Sequence, residues 1–352
     1  MISVVSQENA FQELEGTWNE LYNAADAMTP FQSFAYNWNS WQFSHGKKDS
    51  LHIVVVIRQK DKLVQAIFPC YIDGKGALRF VNDRDSDFCG PIIHKGFVGD
   101  YHVYEEFSDH VKAQKEIHHV RFENLVAQNA VLGYLRYFFT GAVVYNNNAY
   151  SILQIEQRKG DDHFTKALPV LNATERNRIK KVYNKLKIST FVRFDGDVDY
   201  PEKELEILMQ SMVEAGIREM DYQKTFVPLL KTLYKEKMLL IGVTYLDGQP
   251  LAANIFLKGE NEYINWLVFY TDKQYNLWNV LQHIEYFSET GAVLNFARGL
   301  YEYKMRNFRP VIYTLYSLRY SASTLGTLND IRYVGWHFFR KLVKRIITNR
   351  KG

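Results

Sequence analysis

The chain has 352 residues, 47% of them hydrophobic and 15% aromatic, with a formal net charge of +4. That length suits two domains, the apolar content excludes a disordered chain, and a charge so near balance does not call for a nucleic-acid partner. Its two cysteines, Cys70 and Cys89, supply neither a disulfide framework nor a zinc site.

Residues 1–8 lack the basic and apolar regions of a signal peptide, and no apolar run is long enough to span a bilayer, so a cytoplasmic location is expected. Phe11, Leu14, Trp18, Leu21 and Tyr22 recur at helical spacing over residues 8–25. Thr29 and Pro30 read as N-cap and first residue of a second helix, which carries Phe34, Trp38 and Trp41. Residues 51–59 and 63–72 form a hairpin pattern turned at 60–62, and residues 77–81 a further strand. The pattern then gives a helix over 101–113, a strand over 119–124, a helix over 129–139 and strands over 142–145 and 151–155.

A polar, glycine-containing break at residues 156–162 divides the chain into expected domains 1–158 and 159–352. Beyond it come helices over 162–170 and 173–187, a strand over 189–194, and helices over 201–215 and 223–236. Residues 239–246, 251–257 and 263–270 read as a meander, with Asp247-Gly248 at its first turn. A helix over 278–288, strands over 293–297 and 311–320, and a basic helix over 329–347 complete the chain. The alternation gives an α/β fold with largely antiparallel mixed sheets flanked by helices.

Several clusters carry chemistry. Arg298, Glu302 and Lys304 follow the strand at 293–297, where a carboxylate can take a proton and a cation can steady an oxyanion. Asp83, Asp85 and Asp87 alternate in a loop, without the glycine or closing glutamate of a calcium loop; no metal site is expected, and Asp87 suits recognition of a sugar or amine. Arg176, Arg178, Lys180 and Lys181 make a basic helix face, either solvated or aimed at phosphate. In the last helix, Trp336, Phe339, Leu342, Val343 and Ile346 accompany Arg340, Lys341, Lys344 and Arg345. That set fits a helix docked on its domain with a basic outer face, or a weak contact with an anionic membrane surface.

The run NFARGLYEYK, from Asn295 to Lys304, resembles the strand-end signature of the CelD-type acetyltransferases of cellulose and exopolysaccharide biosynthesis, which are similar to FemAB-type transferases. Trp18 to Ala25, Thr29 to Ser33, Ser86-Asp87-Phe88, the arginine-rich helix from Glu175, and Gly248 to Ala253 fit the same family in order and spacing. The resemblance implies tandem GNAT-like domains, with the first on the acceptor side and the second binding an acyl donor. In such folds the donor lies in a splay between two central strands, and its pyrophosphate meets the N-terminus of the following helix. Acetyl-CoA is then the expected co-substrate, and a small-molecule or glycan acceptor of envelope biosynthesis the expected partner.

Residue by residue, the resemblance implies catalytic roles for Arg298, Glu302, Tyr303 and Lys304. It implies substrate contacts from Asp87, Arg176 and Tyr301, and donor contacts from Lys273, Gln274, Asn276 and Asn279. The turn from Thr271 to Val280 departs from the pattern: it has no glycine, and Trp278 stands where a small residue is expected. Two alternatives follow, a non-catalytic GNAT module that binds glycan or protein, and a FemAB-like transferase using aminoacyl-tRNA.

Overall fold

The computed structural model describes residues 1–26, 28–126, 129–217 and 222–349, apart from the side chains of residues 129, 222–225 and 344–349. The elements, in chain order, begin with β1 (Ile2–Val5), α1 (Glu8–Glu13), α2 (Glu15–Ala24), α3 (Phe34–Ser44), β2 (Ser50–Leu51) and β3 (Ile53–Ile57). Next come β4 (Val64–Phe68), β5 (Cys70–Ile72), β6 (Ala77–Phe80), β7 (Ile92–Ile93), α4 (Tyr101–Ala113), β8 (His119–Val126), α5 (Asn129–Phe138) and β9 (Val143–Ile155). They are followed by α6 (Ala173–Lys185), β10 (Thr190–Phe194), α7 (Glu202–Glu214), α8 (Tyr222–Lys235), β11 (Leu239–Leu246), β12 (Gln249–Lys258) and β13 (Glu262–Tyr270). The chain closes with α9 (Lys273–Phe287), β14 (Ala292–Arg298), α10 (Glu302–Phe308), β15 (Val311–Ser321) and α11 (Thr324–Asn349).

Contacts divide the chain into one unit of Met1–Asn148 with Thr314–Gly352 and another of Ala149–Tyr313. This differs from the expected boundary at 158, and it moves the C-terminal segment to the first unit. The chain passes between units inside strands, where no loop or turn marks the crossing. β9 begins in the first unit, yet its residues 150–155 pair with β14; β15 begins in the second, yet its residues 315–321 pair with β8.

The first unit has an antiparallel sheet, β1-β3-β4-β7, and a second run of strands, β2-β5-β6-β8-β15. The strand expected over 63–72 is two strands, because Pro69 lacks the N–H a ladder needs; β4 joins the first sheet and β5 the second. Thr29 caps a short 3-10 turn, Pro30–Gln32, in a capping box with Gln32. The N-cap of α3 is instead Ser33, whose hydroxyl accepts from the Tyr36 N–H at 3.2 Å. Phe68 stacks on Phe107 at 3.8 Å in one core, and Phe11, Trp18 and Phe34 fill another.

In the second unit the strand order is β10-β11-β12-β13-β14-β9. Asp247 and Gly248 both take positive φ (52° and 77°), the backbone a two-residue hairpin requires. Only the β13–β14 pairing is parallel, and α9 makes the connection; β6, α4 and β8 repeat this arrangement in the first unit. The second strand of each pair carries a non-glycine residue at positive φ, Asn124 in β8 and Ala297 in β14. Two expectations fail locally: residues 162–170 give only a 3-10 turn, Phe164–Ala167, and the strands at 142–145 and 151–155 are one.

Candidate active site

The parallel ladder of β13 and β14 spans three residue pairs, Glu262–Val293, Tyr263–Leu294 and Ile264–Asn295. Past it, β13 runs on to Tyr270 and β14 to Arg298 outside this ladder, so the two strands part. A bulge marks β13 at the same level, where the register with β12 steps from Asn265 to Leu267. On β14, Ala297 sits at φ 56° and its N–H donates to Asn295 Oδ1 at 2.9 Å. The amide of the same Asn295 donates to Glu262 Oε1 at 3.0 Å.

Burial pushes the Glu262 carboxyl up from its ordinary value, and the Asn295 hydrogen bond opposes the shift only in part. Tyr150, buried in β9 opposite Arg298, feels the Glu262 charge, and burial raises its hydroxyl to about 12. Its ring stacks on Tyr313 at 5.2 Å. Asn265 is buried just past the last rung, and its Oδ1 has no partner among the described residues. Glu262 on the first rung, Asn295 on the last and Asn265 just beyond it, with its unpartnered amide oxygen, thus lead along the ladder to the point where the strands part.

The residues expected at the strand end lie around it. Lys304 is only 4% exposed; its ammonium donates to Phe296 O at 2.6 Å and lies 4.8 Å from the Tyr301 ring centroid. Lys304 therefore ties α10 back to the end of β14. Tyr301 is exposed, and Tyr303 is hydrogen-bonded to Asn276 with its hydroxyl pushed above the ordinary range by burial. Glu302 is exposed at the first turn of α10, a helix missed in sequence because the run had been read as strand end and loop. Glu262 is the better-placed carboxylate.

Two of the four expected donor contacts are part of the core instead. Asn254 Nδ2 donates to Asn276 Oδ1 and Asn279 Oδ1, each at 3.0 Å, and Asn279 donates on to Gly242 O at 2.9 Å. Lys273 and Gln274 are exposed at the start of α9. That helix begins five residues before the expected 278, and its N-cap is Asp272, which accepts from the Gln274 N–H at 2.9 Å. The carboxylate stands where an incoming pyrophosphate would seek free N–H groups, and it repels one. Trp278 does not occupy this turn: it is 3% exposed and packs in the core beside Phe191.

Arg176 donates to Leu168 O at 3.2 Å, Arg178 to Arg306 O, and Arg309 pairs with Glu175 at 2.9 Å, so α6 and α10 lie together. Lys181, Lys185, Arg306 and Arg309 remain exposed on them. Asp87 belongs to the first unit, whereas the other expected site residues are in the second. Its neighbours in the loop serve the fold. Asp83 accepts from Tyr71 and Arg79, each at 3.2 Å, with burial raising it to about 6, and Asp85 accepts from Ser40 at 3.0 Å and from Ser44.

Glu262, Asn265 and Tyr150 escaped the sequence reading. A signal was present: the apolar runs of β12, β13 and β14 each carry one asparagine, Asn254, Asn265 and Asn295, where an unpaired amide is costly.

The chain has a mixed α/β fold similar to those of a tandem GNAT protein and of FemX. FemX superposes with a TM-score of 0.63 at 8% identity, over 90% of this chain and 96% of that one. The C-terminal domain of a candidate lysylphosphatidylglycerol synthetase from Agrobacterium fabrum gives 0.55 at 11%, over 92% and 95%. A tandem GNAT protein from the clavulanic acid biosynthesis pathway gives 0.51 at 12%, over 92% and 99%. No protein-family model and no curated protein matches the chain. The narrower CelD-type likeness rests on the sequence motifs alone. Among the described residues no helix is long and apolar enough to cross a membrane.

Proposed function

We propose that the protein is an acyltransferase whose transfer centre is the splay between β13 and β14. The observation that carries this reading is the hydrogen bond from Asn295, on the last rung before the strands part, to Glu262, on the first rung. An acyl carbonyl lying in the splay is attacked by an acceptor amine or hydroxyl. Glu262 takes the proton of the attacking group, the bond from the acyl carbon to its carrier breaks, and Tyr150 gives the departing oxygen or sulfur a proton. The unpartnered Asn265 Oδ1 is an acceptor for the N–H or O–H of the attacking group. No covalent enzyme intermediate enters, since both cysteines are buried in the first unit.

The donor favoured by the site is an aminoacyl ester carried on tRNA. Asp272 disfavours a pyrophosphate at α9, while the exposed cations of α6 and α10 suit a phosphate backbone. FemX-like architecture is consistent with that choice, and local charge, not the net +4, governs such contact. A second reading keeps acetyl-CoA as donor and a sugar amine or hydroxyl as acceptor; exposed Lys273 at the start of α9 favours it.

The test is release of radiolabelled acyl groups from aminoacyl-tRNA and, separately, from acetyl-CoA, to amino-sugar acceptors and to water. Release from tRNA that is lost in Glu262→Gln supports the first reading; release from acetyl-CoA alone selects the second. Release that is indifferent to Glu262, or none from either donor, removes the proposed centre.

A further inference from the structure

The C-terminal helix α11 is held to the first unit by one side. Asp330, buried on that side, accepts from Arg121 at 2.9 Å and from Ser321 at 2.7 Å. Arg319 covers the Tyr333 ring at 3.6 Å, Val334 is buried, and His337 meets the Tyr145 ring at 5.4 Å. Lys341 continues the same side, donating to Asn147 O at 2.6 Å. Positions 330, 334, 337 and 341 follow the three-and-four spacing of a single helix face.

The opposite face is apolar, which reverses the expected basic exterior. Leu325 is 68% exposed, Trp336 51%, Phe339 53% and Leu342 56%. Trp336 stacks on Phe339 at 5.4 Å, and the Arg340 guanidinium lies 5.0 Å from the Trp336 ring. Arg332 and Arg340 are exposed beside them. The sequence continues basic with Lys344 and Arg345; their side chains, like that of Ile346, lie outside the described residues. Asp330 is the only acidic residue of the helix, and it is buried and paired.

We propose that this face is a docking surface for an anionic lipid membrane, on which α11 lies in the plane of the interface. Aromatic and leucine side chains enter the boundary between headgroups and acyl chains, while Arg332 and Arg340 meet lipid phosphates. The charge pattern selects this occupant over a second copy of the chain. A two-fold contact through the same face would set these arginines against their own equivalents with no free carboxylate on the helix to compensate. The proposal is independent of the transfer chemistry, because all these residues belong to the first unit.

The test is co-sedimentation of the full chain with phosphatidylcholine vesicles, with and without about a third phosphatidylglycerol, at low and high salt. Trp18, Trp41, Trp266 and Trp278 are buried and Trp38 is half-buried, so iodide quenching reports chiefly on Trp336. Partition into the anionic vesicles is expected, with Trp336 shielded from iodide, and salt weakens it. Trp336→Ser/Phe339→Ser weakens partition about tenfold or more, and Arg332→Glu/Arg340→Glu removes the preference for anionic lipid. Both variants keep the parent melting temperature, since the replaced side chains are exposed. Failure to partition, equal binding to pure phosphatidylcholine, or shielding of Trp336 by dimer formation without lipid would overturn the proposal.

Discussion

Asn295, on the rung where β13 and β14 stop pairing, donates its side-chain amide at 3.0 Å to Glu262, two residues back on the first rung. The contact joins two consequences of one geometry. The ladder ends at Asn295, and the carboxylate that Asn295 holds from the first rung is buried enough to have its pKa raised.

Replacing Glu262 by Gln is expected to keep the Asn295 contact sterically and lower transfer by about a hundredfold to ten-thousandfold. The melting temperature changes little, so single-turnover transfer separates a chemical role from a structural one.

The pH dependence follows from the direction of the shift. A carboxyl with a raised folded pKa holds its proton more tightly in the fold, so its stabilising contribution is present below the ordinary carboxylate range. That contribution is lost as pH rises through the raised value. Activity moves the other way, because the proton-accepting form appears over the same window. The acid limb of the rate profile therefore sits above an ordinary glutamate pKa and vanishes in Glu262→Gln, which a pH series on both proteins would check.

His283 gives a stability prediction away from the chemistry. Both ring nitrogens are buried without a hydrogen-bond partner among the described residues, and burial lowers the ring to about 3 from 6.5. Between those values the unfolded chain binds a proton that the fold rejects, so stability falls as pH falls through the window. His283→Leu is expected to raise the melting temperature, and to raise it more at about pH 5 than at about pH 8. Calorimetry at the two pH values measures this.

Trp278→Gly is expected to destabilise the fold by about 3–5 kcal/mol, since it opens a cavity in the second unit's core. It does not create a coenzyme A site, and denaturant unfolding beside coenzyme A titration separates the two effects. Asp272→Asn, which keeps the cap and removes the charge, is expected to strengthen any coenzyme A binding.

Much of the fold was legible, and the limits of that legibility are physical. Asp247-Gly248 named its hairpin because two successive positive φ values leave few residue choices. The boundary differs from the expected 158 because β9 passes from one unit to the other as one continuous strand, through the polar run Asn146-Asn147-Asn148 that read as a gap between two strands. At the site, the resemblance implied donor contacts from Asn276 and Asn279, but buried Asn254 hydrogen-bonds to both from β12. Glu262 was passed over because the turn before it is polar, and only the fold brings it to Asn295.

Hydrogen exchange with and without saturating aminoacyl-tRNA tests the transfer centre most directly. Slowed exchange is expected in β13 from Trp266 to Tyr270 and at the end of β14 from Phe296 to Gly299, and acetyl-CoA should give less of it. Bound donor that leaves both segments unprotected, while protecting another part of the second unit, would contradict the assignment of the splay as the acyl site.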